Sequence, residues 1–318
     1  MAVKFAETYV NKKKCLVPAV EVEGRTVMVT GKWIKTAVIR DEEAVVGEPV
    51  KDPGAYIAAL KNGEVKADVF TFSQRPPEIT PRHDFIFDWD NIAAVPITTF
   101  EDWWGKRLPQ EARKNTRRAA KRGVVVKSVP FDDELARGIH KLCNETPIRQ
   151  SRPFWHYGKD LATVTQEHST YPERSEFIGA YFENELIGFI KLVYVDRMAL
   201  IFHILAMNSH YDKRPMNALI AKAMEVCAQK GVGYFVYGKY LYGNKKDSLV
   251  EFKRRNGFEQ INFPRYYIPL TLKGRLYVSL RLYRGLAGLL PAAVIERLLK
   301  IRDWYYQPAK TPAATKDD

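Results

Sequence analysis

The chain has 318 residues, of which 46% are hydrophobic and 27% charged, enough for one large or two small packed domains. Its net charge of +13 predicts a polyanionic partner such as a nucleic acid, acidic lipid headgroups or a phosphorylated substrate. No Gly-x-Ser-x-Gly, His-Glu-x-x-His or Walker motif occurs, which excludes the enzyme classes defined by those motifs.

The cysteines predict a reducing compartment. Cys15, Cys143 and Cys227 lie far apart in the sequence and lack metal-ligand spacing, so we expect neither disulfides nor a bound metal. The chain lacks a secretory apolar region at its start and any apolar run near the roughly 20 residues that span a bilayer. We therefore expect a cytoplasmic protein.

The first 95 residues predict a small β-rich module. Alternating apolar residues over 16–22 and 26–30, on either side of Glu23-Gly24, indicate a hairpin. A short helix is predicted over 53–61 and another strand over 69–72. This module has no catalytic constellation, and we interpret it as a wall beside an acceptor site.

A strongly basic helix follows. Between residues 113 and 122, Arg113, Arg117 and Lys121 fall on one helical face. Like charges at this spacing repel each other, and a bound anion would reduce this electrostatic repulsion. We therefore predict that Arg113 and Arg117 bind the acceptor. The alternative is a solvated basic face, which is common on protein surfaces.

The loop over 145–155 is rich in arginine and aromatic residues. Arg149, Arg152 and Trp155 could hold an acidic or sugar-bearing acceptor, and we predict them as acceptor-binding residues. The other interpretation is a surface turn whose aromatic side chains pack inward.

The most informative stretch runs from residue 197 to residue 258. A buried strand over 198–207, a helix over 216–230 and a second strand over 233–237 predict two parallel strands with a right-handed crossover. The loop before the helix is basic, and Pro215 suits its first turn. Such a helix end presents free N–H groups and binds phosphate.

This order of elements resembles the GNAT superfamily of Gcn5-related N-acyltransferases. The resemblance lies in Leu205-Ala206-Met207, the basic loop, and Asn256-Gly257-Phe258 after Phe252-Lys253. The last motif is closest to the Fem-type branch. The resemblance implies an α+β or α/β fold, with a GNAT-like mixed twisted sheet flanked by helices, over residues 96–272. Because Fem-type proteins have two GNAT-like halves, it also implies that the β-rich module over residues 1–95 could be a reduced first half.

The resemblance also implies a donor site at the basic loop. The residues expected there are Lys213, Arg214, Met216, Asn217, Ala218 and Asn244. The family's loop is usually rich in glycine, and this one is not; Fem-type proteins also lack those glycines. The donor is therefore acyl-CoA, which we favour at this stage because more relatives use it, or an aminoacyl-tRNA.

Three residues are candidates for catalysis. Lys253 matches the Phe-Lys of the Fem-type motif and would act as a point charge on an oxyanion, phosphate or carboxylate; the alternative is a solvated lysine. His203, in the apolar strand, would be a base or a core residue. Tyr242, after the second strand, would face the reacting carbonyl.

The C-terminal segment, residues 273–318, is basic and amphipathic, and residues from 308 onward are expected to be disordered. It would either pack against the fold or lie on the anionic inner face of a membrane. Together these features predict an acyltransferase for an amine on a sugar, nucleotide-sugar or envelope precursor. Its partners would be an anionic substrate and, with the second donor, tRNA; the rival interpretation is a noncatalytic scaffold on an anionic surface.

Overall fold

A computed structural model describes residues 4–10, 13–42, 49–149, 151–241, 248–285 and 297. The fold is built on one large mixed sheet of twelve strands in the order β1-β2-β3-β4-β5-β14-β6-β13-β12-β11-β10-β7, with β8 and β9 forming a separate two-stranded ribbon. The strands are β1 Lys4–Val10, β2 Lys13–Val22, β3 Arg25–Thr30, β4 Thr36–Ile39, β5 Val69–Ser73, β6 Phe87–Pro96, β7 Val125–Val129, β8 Ile148–Arg149, β9 Arg152–Pro153, β10 Ser175–Phe182, β11 Glu185–Val195, β12 Met198–Ala206, β13 Tyr234–Val236 and β14 Glu259–Pro269.

Helices cover the faces of this sheet. They are α1 Pro53–Asn62, α2 Phe100–Asp102, α3 Gln110–Lys121, α4 Asp133–Cys143, α5 Leu161–His168, α6 Pro215–Gln229, α7 Ser248–Arg255 and α8 Leu272–Ser279. A π-helical turn, Trp103–Arg107, continues α2. The predicted mixed sheet flanked by helices is thus confirmed.

The sheet contains the same arrangement twice. In one half, β2, β3 and β4 form an antiparallel meander and α1 connects β4 to the parallel strand β5. In the other, β10, β11 and β12 form the meander and α6 connects β12 to the parallel strand β13. The predicted parallel pair with a helical crossover is confirmed.

The two halves exchange their next strands. β6 follows β5 in the chain but pairs with β13, whereas β14 follows β13 but pairs with β5. β6 and β14 also pair with each other at the centre of the sheet. The sequence analysis did not predict β14, and the domain boundaries near 95 and 272 stay predictions, since the sheet runs continuously across both halves.

The largest core positions α6 against the second half of the sheet. Leu219, Ile220 and Met224 are fully buried there. Burial of each of these side chains stabilises the fold by about 1.5–3 kcal/mol. Gly188 permits the close contact, because a Cβ at this position would lie 3.2 Å from the Leu219 Cδ1 atom and 3.1 Å from the Ala206 Cβ atom. The start of α6 is therefore held beside the end of β12.

Candidate active site

A cleft opens where β12 and β13 diverge. The two strands pair only from Met198 to Leu200, after which β12 continues to Ala206 while β13 ends. A cavity of about 810 Å³ lies at this end of β12. Its walls come from α3, the end of β12, the loop over 208–214, the start of α6, and α7.

Glu145 anchors the loop that borders the cavity. Its carboxylate accepts hydrogen bonds from the N–H groups of Asn208 (2.7 Å) and Ser209 (2.9 Å) and from the Ser209 hydroxyl (2.8 Å). Burial by itself would raise the pKa of Glu145, but these hydrogen bonds outweigh it and hold the pKa below its ordinary value. The loop is thus fixed by a residue 63 positions earlier in the chain.

Arg149 completes this anchor. Its guanidinium donates to the Ala206 carbonyl at 2.7 Å and to the Glu145 carboxylate at 3.0 Å, and it lies 4.7 Å from the centre of the Phe154 ring. Arg149 lines the cavity. The structure therefore brings this predicted acceptor residue to the cavity, with part of its hydrogen-bonding capacity already used to hold β12.

The N-terminus of α6 is open toward the cavity. Arg214 occupies the cap position in the left-handed conformation (φ 59°) and makes no side-chain capping bond. Its Nε is buried and has no hydrogen-bond partner within the described residues. At the corresponding end of α1, Asp52 accepts a hydrogen bond from the Gly54 N–H at 2.8 Å. A carboxylate thus caps the helix in the first half, whereas no described side chain caps the start of α6 in the second half.

Only some of the predicted donor residues lie at the cavity. Arg214, Met216 and Asn217 line it, and the Asn217 amide donates to Asn256 on α7 at 3.1 Å. Lys213 instead reaches the Phe182 ring at 4.6 Å, and Ala218 is buried in the core. Both lie outside the cavity lining.

Two further candidates, Asn244 and Tyr242, lie outside the described residues. Their predicted roles in donor binding and catalysis stay predictions.

The other predicted acceptor residues lie outside the cavity lining. Arg113 donates to the carbonyls of Trp104 (2.7 Å) and Gly105 (2.6 Å) and so ties α3 to the π-helical turn. Arg117 lies 5.7 Å from the Trp104 ring centre. Arg152 is exposed, as the surface-turn interpretation of its loop expects, but Trp155 is 66% exposed and does not pack inward as that interpretation expects.

Lys253 is fully buried, unlike the solvated lysine of the alternative interpretation. Its ammonium donates to the Lys239 carbonyl and lies 5.1 Å from the centre of the Tyr237 ring. Tyr237 lines the cavity, and Lys253 lies just behind that lining. Lys253 thus holds the segment after β13 in place, and its catalytic role stays a prediction.

His203, which is half-buried, belongs to a cluster of basic side chains in which His168 and Lys191 are buried. Its ring centre lies 4.5 Å from that of His168 and 6.2 Å from that of His156. Nearby, the Lys191 ammonium donates to the carbonyls of His168 (2.8 Å) and Thr170 (2.5 Å). Burial lowers the pKa of His203 to about 3 and that of Lys191 to about 8. A neutral imidazole with so low a pKa is a poor base at neutral pH.

This cluster predicts acid sensitivity. Burial also lowers the pKa of His168 to about 4, against about 6.5 for an unfolded histidine. The folded protein then binds fewer protons than the unfolded chain, so the part of the stability that depends on these histidines is complete above pH 6.5 and falls as the pH decreases toward 4. We expect urea unfolding at pH 7.5 and 5.0 to show this loss, and His203→Gln to reduce it. His140→Gln, outside the cluster, is the control; an unchanged loss in His203→Gln would contradict the prediction.

The cluster and the Glu145 anchor were missed by the sequence analysis. Glu145 is the first residue of the loop that was predicted to bind the acceptor through its arginines. No sequence motif marks Glu145 itself as a functional residue. Lys191 lies in the apolar run of β11 and could have indicated the cluster from the sequence. A lysine in a buried strand requires hydrogen-bond partners for its ammonium group. Among the described residues, no group of His, Cys, Asp or Glu is placed to hold a metal ion. The helices in that part of the chain are also too short or too polar to cross a membrane.

Comparison with known proteins rests on structure, because no family model and no curated protein matches the chain. The solved structure of FemX is 12% identical and covers 87% of this chain and 90% of its own, with a TM-score of 0.58. The fold is thus GNAT-like and similar to that of FemX. The C-terminal domain of a lysylphosphatidylglycerol synthetase from Agrobacterium fabrum is 13% identical, with 86% and 90% coverage and a TM-score of 0.51.

A third structure, L-PGS from Bacillus licheniformis, is 15% identical and covers 84% of this chain and 88% of its own, with a TM-score of 0.52. At these identities the likeness to Fem-type proteins concerns the fold, and activity has to be argued from the site itself. The predicted family resemblance in fold is confirmed.

Proposed function

We propose that this protein transfers an aminoacyl group from an aminoacyl-tRNA to an amine of an envelope precursor. The observation that carries the proposal is the position of α3. Glu111, Ala112 and Asn115 on this helix line the cavity. Lys114, Arg118 and Lys121, on other positions of the same helix, are exposed. A polyphosphate chain lying along α3 would place its acylated end in the cavity.

The cavity suits an aminoacyl group. The Glu111 carboxylate lines it and forms no salt bridge with any cation in the described part of the chain. A free carboxylate at this position would pair with the α-ammonium of an aminoacyl donor. By contrast, Glu251 is already held by Arg254 and Arg255, and those hydrogen bonds lower its pKa to about 2.

The diverging strands supply a place for the reacting carbonyl. From Ile201 onward, β12 has no strand partner on the β13 side among the described residues. A bulge at Phe202 changes the register between β11 and β12 at this point. Backbone N–H groups freed in this way can stabilise the oxyanion that forms when the amine attacks the ester carbonyl.

Acyl-CoA is the second candidate donor, because the open N-terminus of α6 favours a pyrophosphate. Two features weaken this fit. Pro215 has no N–H group, and the Asn217 N–H already donates to the Arg214 carbonyl at 3.2 Å. Two of the amides that would hold a pyrophosphate are therefore absent or engaged, and we favour the tRNA donor.

One of the similar structures supports an envelope molecule as the acceptor. The name lysylphosphatidylglycerol synthetase describes a product that joins lysine to a phospholipid. The headgroup of phosphatidylglycerol offers a hydroxyl group and not an amine, so we carry over only the placement of an aminoacyl group on an anionic envelope molecule. The net charge of +13 is compatible with such an acceptor as well as with the donor.

The test is binding and transfer with defined donors. We expect fluorescently labelled aminoacyl-tRNA to bind, and Arg117→Glu combined with Arg118→Glu to weaken binding by about tenfold or more at low salt and to reduce its salt dependence. Lys51→Glu combined with Lys61→Glu makes the same charge change in the first half and should leave binding nearly unchanged. Thermal stabilisation by CoA but not by tRNA would select the second donor, and no response to either would contradict acyl transfer.

A further inference from the structure

Helix α8 presents an apolar row to solvent. Leu272, Leu276 and Leu280 are spaced four residues apart and are 80%, 61% and 53% exposed. The opposite face of the helix is buried through Gly274 and Val278. Gly274 lies so close to the strand end that a Cβ there would clash with the Asp68 carbonyl oxygen. The helix is therefore held firmly by one face, while its leucines remain uncovered by any described residue.

Trp33 extends this apolar row. Its side chain is 66% exposed. The Lys273 ammonium donates to the Trp33 carbonyl and lies 5.4 Å from the centre of its ring, so the tryptophan sits directly beside α8. We name the four residues Trp33, Leu272, Leu276 and Leu280 the apolar face. Tryptophan is enriched where a protein meets the boundary between lipid and water.

The surroundings of the apolar face are basic. The exposed cations beside it in the chain are Lys32, Lys273, Arg275 and Arg281. The nearby acid, Asp68, is turned inward: its carboxylate accepts from the Lys35 N–H at 2.9 Å and from the Thr271 hydroxyl at 2.8 Å. Asp68 also lies 4.0 Å from the Lys273 ammonium. It therefore offsets one of the four positive charges, and the rim of this face keeps a net positive charge that attracts anions.

Strand directions place the apolar face at the same edge of the sheet as the cavity. β12 and β14 both run toward this edge, where they end at Ala206 and Pro269. β4 and β5 begin there, because β5 is antiparallel to β14 and parallel to β4. Trp33 precedes β4 and α8 follows β14, so both belong to the edge at which the cavity opens.

We propose that the apolar face docks on a bilayer containing anionic phospholipid. Exposed leucines and a tryptophan within a basic rim combine burial of apolar surface with attraction to anionic headgroups, the two contributions that hold an amphipathic helix at an interface. The inference goes beyond the proposed transfer reaction and does not require it.

The experiment measures co-sedimentation of the full chain with vesicles, without donor or acceptor. We expect binding to vesicles of phosphatidylcholine with phosphatidylglycerol, weaker binding to phosphatidylcholine alone, and weakening by salt. Leu272→Glu combined with Leu276→Glu should reduce binding by about tenfold or more. Both positions are exposed, so the fold should be unaffected, which an unchanged melting temperature will verify.

Leu16→Glu is the matched control, because Leu16 is 64% exposed on β2, outside the apolar face. This variant should bind as the wild type does. Failure of the wild type to bind anionic vesicles, or equal loss in both variants, would overturn the proposal. A fluorophore on Leu276→Cys that is already shielded from water without vesicles would show that the chain itself or a second copy covers the face, and would also overturn it. Aminoacyl transfer is measured separately, so either proposal can fail alone.

Discussion

Glu145→Ala is expected to reduce aminoacyl transfer by about 100-fold and the free energy of unfolding by about 2 kcal/mol. This carboxylate, whose side chain is 17% exposed, accepts three hydrogen bonds from the loop and one from Arg149. A hydrogen bond to a charged group contributes about 1.5–3 kcal/mol, and the total loss stays near the cost of one such bond because the exposed loop donors bind water once the carboxylate is removed. Without them the loop that carries Arg214 loses its position at the cavity. Transfer kinetics and urea unfolding measure the two effects.

The controls separate the anchor from a general loss of charge. Glu145→Gln retains an oxygen that can accept from the loop, and it should give an intermediate loss. Glu185→Ala removes a surface carboxylate that pairs with Lys141, both partly exposed, and should change stability by less than about 1 kcal/mol. Wild-type transfer in Glu145→Ala would show that the loop needs no anchor.

The second large effect is expected for Lys253→Met. Transfer should fall by about 100-fold, because Lys253 holds the segment after β13 in place and a shift of about 1 Å at a site can cost that much. Stability should fall by only about 1–3 kcal/mol, because methionine fills the buried space and the main cost is the unpaired Lys239 carbonyl. Lys253→Ala should cost more, since it also leaves a cavity.

Binding distinguishes a positioning role from a structural collapse. Lys253→Met should still bind tRNA and vesicles as the wild type does, because α3 and α8 are separate elements. A fall in kcat with little change in KM would indicate action on the reaction, whereas a rise in KM alone would indicate that the segment over 239–241 only shapes the cavity. Lys222→Met, on α6, is the control for removing a lysine. Undiminished transfer in Lys253→Met would contradict the role.

Local signals predicted the second half of the fold well. Apolar runs separated by Pro215 and Gly231 predicted β12, α6 and β13, and the structure has them within one or two residues of those positions. Gly257 ends α7 with φ +80°, as the resemblance implied. These features depend on neighbours in the chain, so the sequence carries them directly.

Local sequence patterns did not predict the hydrogen-bond partners of individual side chains. Arg113, Arg149 and Lys253 were all chosen as cations near a site, yet their hydrogen bonds go largely or partly to backbone carbonyls. A pattern of charges predicts which face is basic, but not which carbonyl lies within 3 Å of a guanidinium. That depends on how α3 and the loop before β8 pack on the rest of the fold.

The sequence by itself therefore determined the order of β12, the basic loop, α6 with Pro215 in its first turn, and β13. Hydrophobic periodicity and turn residues specify these elements because they act over only a few positions in the chain. Only the tertiary structure decided that β6 and β14 exchange places between the halves, that Glu145 holds a loop 63 residues away, and that α8 leaves its leucines exposed. Each of these depends on contacts between segments far apart in the chain, where no local pattern records the partner.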